Sequence, residues 1–171
     1  IIPRGQALGG THMLPENERQ TLPEPYLQGQ LTTLLAGRAA ERLLMTSVSS
    51  GADDDIRRAT TIARSMVARW GMDNEIGPID LRDSDDHPFL GQTIAKPRNF
   101  ADATAARVDA AVQVLLKAAE AKATEILTHH KDKVLVLATT LEQEETLDAN
   151  AIRKCLDPDN VTPLHDRSVP I

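Results

Sequence analysis

The residues best suited to chemistry are few and scattered. Asp53, Asp54 and Asp55 stand in a row just ahead of an apolar-periodic segment. In the first turn of a helix, carboxylates complement the positive end of the helix dipole, worth about 0.3–1 kcal/mol each when exposed. A carboxylate so placed sits on a rigid element and can also reach into a neighbouring site. His12, His87, His129, His130 and His165 are spread along the chain. None has an acidic or histidine partner at metal-binding spacing, so they read as surface histidines. Cys155 is the only cysteine. One thiol makes no internal disulfide and no cysteine metal site. With no base partner in view, it reads as a small apolar residue and not a nucleophile.

The elements that must position these residues are mostly helices. Leu27, Leu31, Leu34, Leu35, Ala39 and Leu43 recur at three- and four-residue steps and predict a helix over about 21–45. Pro23 and Pro25 suit its start, where a missing N–H costs nothing. Thr46 to Gly51 reads as a loop. The clearest helix spans 53–70, with Ile56, Ala59, Ala63, Met66, Val67 and Trp70 on one face and Gly71 as its stop. Trp70 is expected to anchor the core there. Residues 72–100 lack helical periodicity and are punctuated by Gly77-Pro78, His87-Pro88 and Lys96-Pro97. They read as irregular, with a short strand near Phe89-Leu90. Long segments without regular structure are often functional.

Beyond them, a helix is expected over 102–129, its apolar face carried by Val108, Val112, Leu115, Ala119, Ala123, Ile126 and Leu127. Another is expected over 131–141, and a short one over 149–156 after a cap at Glu145 to Asp148. Residues 1–14 predict two short strands joined by a turn, and Gly9-Gly10 marks a close approach of another backbone. Residues 157–171 read as a disordered tail. The fold class is therefore mainly α, with a short N-terminal β-hairpin, in one domain over 1–156.

Bulk properties exclude some functions. The chain has 171 residues, 41% hydrophobic and only 2% aromatic, so its core is aliphatic. Its net charge of −6 argues against nucleic acid as a partner, because phosphate binding wants a basic surface. No apolar run approaches the roughly 20 residues that cross a bilayer. A lone cysteine suits a reducing compartment. The sequence opens Ile1-Ile2-Pro3 without an initiator methionine, and we expect it to be a piece of a longer protein.

Several blocks, taken in order, resemble one family. Ile1-Ile2-Pro3-Arg4-Gly5 with Ala7-Leu8-Gly9 is similar to I-I-P-R-G-x-A-L-G, and Leu14-Pro15-Glu16 to the L-P-E that follows. Leu34 to Glu41 resembles L-L-G-G-R-A-A-E, with Ala36 in place of a glycine. Ser50 to Ile56 resembles T-G-A-x-N-D-[IL], with Asp54 in place of the asparagine. Arg58-Ala59-Thr60, Trp70-Gly71-Met72, Gly77-Pro78, Phe89-Leu90-Gly91 and Glu145 to Asp148 follow in register. Together they resemble the peptidase domain of the FtsH family of membrane-anchored, ATP-dependent zinc metalloproteases, over residues 1 to about 156.

That resemblance implies a zinc ion held by two histidines of H-E-x-x-H and by the aspartate of N-D-[IL], which is Asp55 here. The glutamate of H-E-x-x-H is the family's general base toward a zinc-bound water. The 171 residues contain no H-E-x-x-H, so no catalytic residue is assigned. In the family that motif lies a short way upstream of I-I-P-R-G, and we expect it within roughly 30 residues before Ile1. The isolated chain is expected to be inactive. By the same resemblance, Gly9, Gly10 and Thr11 belong to an edge strand to which a peptide substrate could add; the alternative is a simple hairpin covering the helices. Glu41 either steadies a ligand histidine or is a solvated helix glutamate.

The family further implies ATP and magnesium on a separate ATPase domain, protein substrates and a hexameric homo-oligomer. It also implies a place on the cytoplasmic face of the inner membrane, with the membrane reached only through other segments. A second reading is a non-catalytic assembly module that has lost the histidine motif.

Overall fold

The computed structural model describes residues 21–45, 47–81 and 100–157. Its elements are α1 (Glu24–Leu44), a 3₁₀ turn (Ser50–Ala52), α2 (Asp53–Ala68), α3 (Asp102–His129), α4 (Lys131–Glu144) and α5 (Ala149–Leu156). The fold is mainly helical, and no strand occurs among the described residues. The N-terminal hairpin expected over 1–14, with Gly9, Gly10 and Thr11, lies outside them. So do the strand expected near Phe89-Leu90 and most of the expected tail.

The described residues fall into two compact units. One holds α1, the 3₁₀ turn, α2 and α3 as far as Leu127. Pro23 caps α1, its ring excluded from no hydrogen bond it could have made. Leu27, Leu31, Leu34 and Leu35 of α1 meet Ala59, Ala63, Met66, Val67 and Ala68 of α2. Val108, Val112 and Ala119 of α3 and Leu81 complete this core. Leu27, Leu31, Met66 and Val67 are fully buried, and each contributes about 1.5–3 kcal/mol of apolar transfer. Ala59 and Ala63 are wholly buried, and their small side chains allow the close contact of α2 with its neighbours.

Polar contacts add direction. Glu120 of α3 accepts from Arg38 Nε at 3.1 Å and pairs with Arg42 at 3.4 Å, both from α1. Arg64 of α2 pairs with Asp109 of α3 at 2.7 Å. Each such pair adds only about 0–1 kcal/mol.

The chain reverses after α2 in a tight turn. Gly71 takes φ +61°, and the Met72 N–H returns to the Met66 carbonyl at 2.9 Å. Asp73 Oδ1 accepts from the N–H groups of Glu75 and Ile76, and Arg107 donates to the Glu75 carbonyl at 2.8 Å. Leu81 N–H then bonds the Ala68 carbonyl at 2.7 Å, drawing the returning chain against the end of α2.

This turn corrects one expectation. Trp70 is not a core anchor: it is 40% exposed. The helix ends at Ala68, so Trp70 falls beyond the buried face, and the Arg69 guanidinium lies 5.9 Å from its ring. Ile56 and Ile126 are likewise exposed. Ile56 lies in the first turn of α2, ahead of the packed stretch that begins at Ala59. Ile126 lies past Ala123, the last buried residue of α3.

The second unit contains α4 and α5. Glu145, at φ 57°, ends α4 in the left-handed region, and the Asp148 carboxylate caps α5 by accepting from Ala151 N–H at 2.7 Å. Neither helix has a buried residue. Cys155 is half-buried, with its sulfur 3.7 Å from the Thr140 hydroxyl.

Candidate functional site

The start of α2 gathers the residues that the sequence singles out. Asp53, Asp54 and Asp55 occupy its first turn, where the unpaired N–H groups and the helix dipole favour negative charge. Their environments differ. Asp53 and Asp54 are exposed, whereas Asp55 is half-buried. Asp54 is engaged by Arg57, three residues on, at 2.6 Å. Among the described residues, no hydrogen bond or ion pair engages the Asp55 carboxylate. Of the three neighbouring acidic residues, Asp55 is thus the half-buried one, its carboxylate without such a partner among the described residues.

Asp54 stands where the resembling family has asparagine, and the extra negative charge falls beside Asp55. The Arg57 pair offsets that charge locally. Both partners are well exposed, so screening keeps the effect small.

Glu41 lies in the last turn of α1 and faces the connection to α2. Its Oε2 accepts from the Ser49 N–H at 2.8 Å, and its Oε1 accepts from the Ser49 hydroxyl at 2.5 Å. The Ser49 oxygen in turn accepts from Gly51 N–H at 3.1 Å and caps the 3₁₀ turn. These bonds, the side-chain one foremost, hold the Glu41 carboxyl below the ordinary glutamate range. Both bonds lie at the surface, and they tie the end of α1 to the residue ahead of the 3₁₀ turn.

Two participants escaped the sequence reading. Ser49 falls in the expected loop, and its only signal is a serine two residues ahead of a glycine at a helical start. Arg38, in the Leu34 to Glu41 block, had no partner assigned, and only packing brings Glu120 to it across 82 residues.

His129 and His130 are exposed, with ring centroids 4.7 Å apart edge to face. Among the described residues no three His, Cys, Asp or Glu side chains converge as a metal site would require. A catalytic zinc takes three protein ligands and a water. Asp55 fits one of those positions as an oxygen donor. The described residues do not fit the others. No helix among the described residues is long and apolar enough to cross a membrane.

Comparison with known proteins agrees with the order of the sequence blocks. The profile of "Peptidase family M41" matches residues 1–155. The chain is 52% identical over 156 residues to the ATP-dependent zinc metalloprotease FtsH of Hahella chejuensis, covering 91% of this chain and 25% of that protein. It is 42% identical over 156 residues to ATP-dependent zinc metalloprotease FtsH 4 of Sphaerobacter thermophilus, covering 91% and 24%. It is 39% identical over 152 residues to the corresponding FtsH of Pelobacter propionicus, covering 89% and 24%. The chain spans about a quarter of the length of the curated relatives it matches.

Proposed function

The chain belongs to peptidase family M41, and from that premise we propose that it is the helical part of a zinc metalloendopeptidase domain in which Asp55 is a zinc ligand. The observation that carries this is the half-buried Asp55, its carboxylate unengaged among the described residues, in the first turn of α2 between two exposed neighbours. A position of this kind gives a metal one fixed oxygen without a competing partner to displace.

The chain's own residues then have defined tasks. Asp55 holds one side of the metal. The α1–α2 core holds Asp55. Arg57 pairs with Asp54 at the surface and offsets its charge only slightly. Zinc, when bound, lowers the pKa of its water to about 7 and polarises the scissile carbonyl. The two histidines and the general-base glutamate come from outside these 171 residues, which contain no H-E-x-x-H. The isolated chain therefore neither binds stoichiometric zinc nor cleaves protein.

The wider reading follows the relatives. The parent protein is an ATP-dependent protease that degrades unfolded or membrane proteins, works as a homo-hexamer and is anchored to the cytoplasmic face of the inner membrane. ATP and magnesium act in a segment not contained here. In this reading Gly9, Gly10 and Thr11 contact the substrate backbone. Names such as "ATP-dependent zinc metalloprotease" for the relatives support this reading.

The test is Asp55→Asn in the full-length gene product. Zinc affinity is expected to fall roughly tenfold or more, since even outer hydrogen-bonding partners of ligands are worth that much, and casein cleavage should be lost. Unchanged zinc stoichiometry by metal analysis, with an unchanged circular dichroism spectrum, would exclude Asp55 as a ligand.

A further inference from the structure

We infer that Glu41 positions Asp55 through Ser49, by fixing the connection that launches α2; this rests on the reading of Asp55 as a zinc ligand.

The need arises from a weak cap. The first N–H groups of any helix have no intrahelical partner, and a side-chain cap normally restrains that end. The N-cap of α2 is Ala52, which has no side-chain oxygen and makes no capping bond. Alanine is among the poorest N-caps. Left to itself, the first turn of α2, which carries Asp55, would fray.

The restraint is supplied one step upstream. The 3₁₀ turn Ser50–Ala52 runs directly into α2, and it does have a cap: the Ser49 oxygen accepts from Gly51 N–H. Ser49 is itself gripped twice by Glu41, through its N–H and its hydroxyl. Glu41 stands on α1, whose Leu31, Leu34 and Leu35 are packed in the core. A continuous chain of bonds thus runs from the rigid helix α1, through Ser49 and Gly51, to the turn that begins α2. Gly51 leaves room for it. A Cβ there would stand 3.1 Å from the Ser49 oxygen and 4.0 Å from Glu41 Oε1.

This role differs from the one first open to Glu41, that of steadying a ligand histidine. A histidine contact would act without Ser49. A positioning role through the connection requires it.

The experiment compares Glu41→Gln, Ser49→Ala, the double variant and Ser49→Thr in the full-length protein. Zinc affinity is read by competition with a chelating dye, and amide exchange is read over residues 50–56, with the α3 amides as the folding control. Each single change should weaken zinc binding roughly tenfold, the low end for groups that orient a ligand, and should speed exchange at 50–56. The double variant should be no worse than either single one, because both break the same link. Ser49→Thr, which keeps the hydroxyl, should restore both readouts. If Ser49→Ala leaves zinc affinity and exchange at the parent level, or the two losses simply add, the inference is overturned while the ligand reading of Asp55 stands. If Asp55→Asn itself leaves zinc unchanged, both fall together.

Discussion

At Glu41 a single carboxylate accepts two hydrogen bonds from one residue, and the consequence is a pH dependence with a definite sign. The Ser49 hydroxyl first, then the Ser49 N–H, stabilise its charged form, and Arg38 adds to them. The pKa in the folded protein is therefore below the unfolded value of about 4.3. A group of that kind stabilises the fold above its unfolded pKa, and the benefit disappears as pH falls through the folded pKa. Glu41→Gln should accordingly melt at a lower temperature than the parent protein at pH 7. The gap should close as the pH is taken below about 4. Thermal unfolding followed by circular dichroism at neutral and acid pH checks this. A gap of the same size at both would show that the charge on Glu41 is not what Ser49 reads. At Asp55 the sequence was informative only with the family pattern beside it. Its partial burial, against the exposure of Asp53 and Asp54, is a property of the folded chain.

Among the elements, the turn after α2 carries the sharpest prediction. Gly71 and Gly77 both have positive φ, at 61° and 77°. Their surroundings differ. A Cβ on Gly71 would lie 2.7 Å from Pro78 Cα and 3.2 Å from the Gly77 carbonyl oxygen, whereas one on Gly77 would meet nothing within 4 Å. Gly77→Ala should cost only the left-handed backbone penalty, about 1–2 kcal/mol. Gly71→Ala should cost that and a backbone clash besides, and so should destabilise clearly more. Urea unfolding of the two variants tests the order; equal losses would refute the close approach. The glycine at position 71 was legible as a helix stop. That it also makes room for Pro78 was not, because the two are brought together only when the turn closes. Trp70 teaches the same lesson. Its spacing matched the α2 stripe, but the helix stopped two residues earlier and the side chain went to solvent.

For the molecule as a whole, burial is unevenly shared between its two units. The α1–α2–α3 unit contains the entire described core cluster. The α4–α5 unit has no buried residue among those described, and Leu135, Val136, Ile152 and Leu156 are exposed on it. Local opening is easiest where few apolar contacts must be broken. In the 171-residue chain, amides of α4 should therefore exchange much faster than those of α2 around Met66 and Val67. Exchange measured by mass spectrometry decides it: equal protection in α4 and α2 would mean that burial does not set the stability order.

The sequence by itself determined the helical class, the aliphatic core and the family, because helix periodicity, an N-terminal proline and an ordered set of motif blocks are local properties of the chain. It placed Asp55 at a helix start for the same reason. The tertiary structure alone decided which of three adjacent acidic residues is half-buried, that Glu41 grips Ser49, and that Arg38 and Arg42 share Glu120. Those facts depend on how α1, α2 and α3 pack, and residues far apart along the chain become partners only once that packing has brought them within hydrogen-bonding distance.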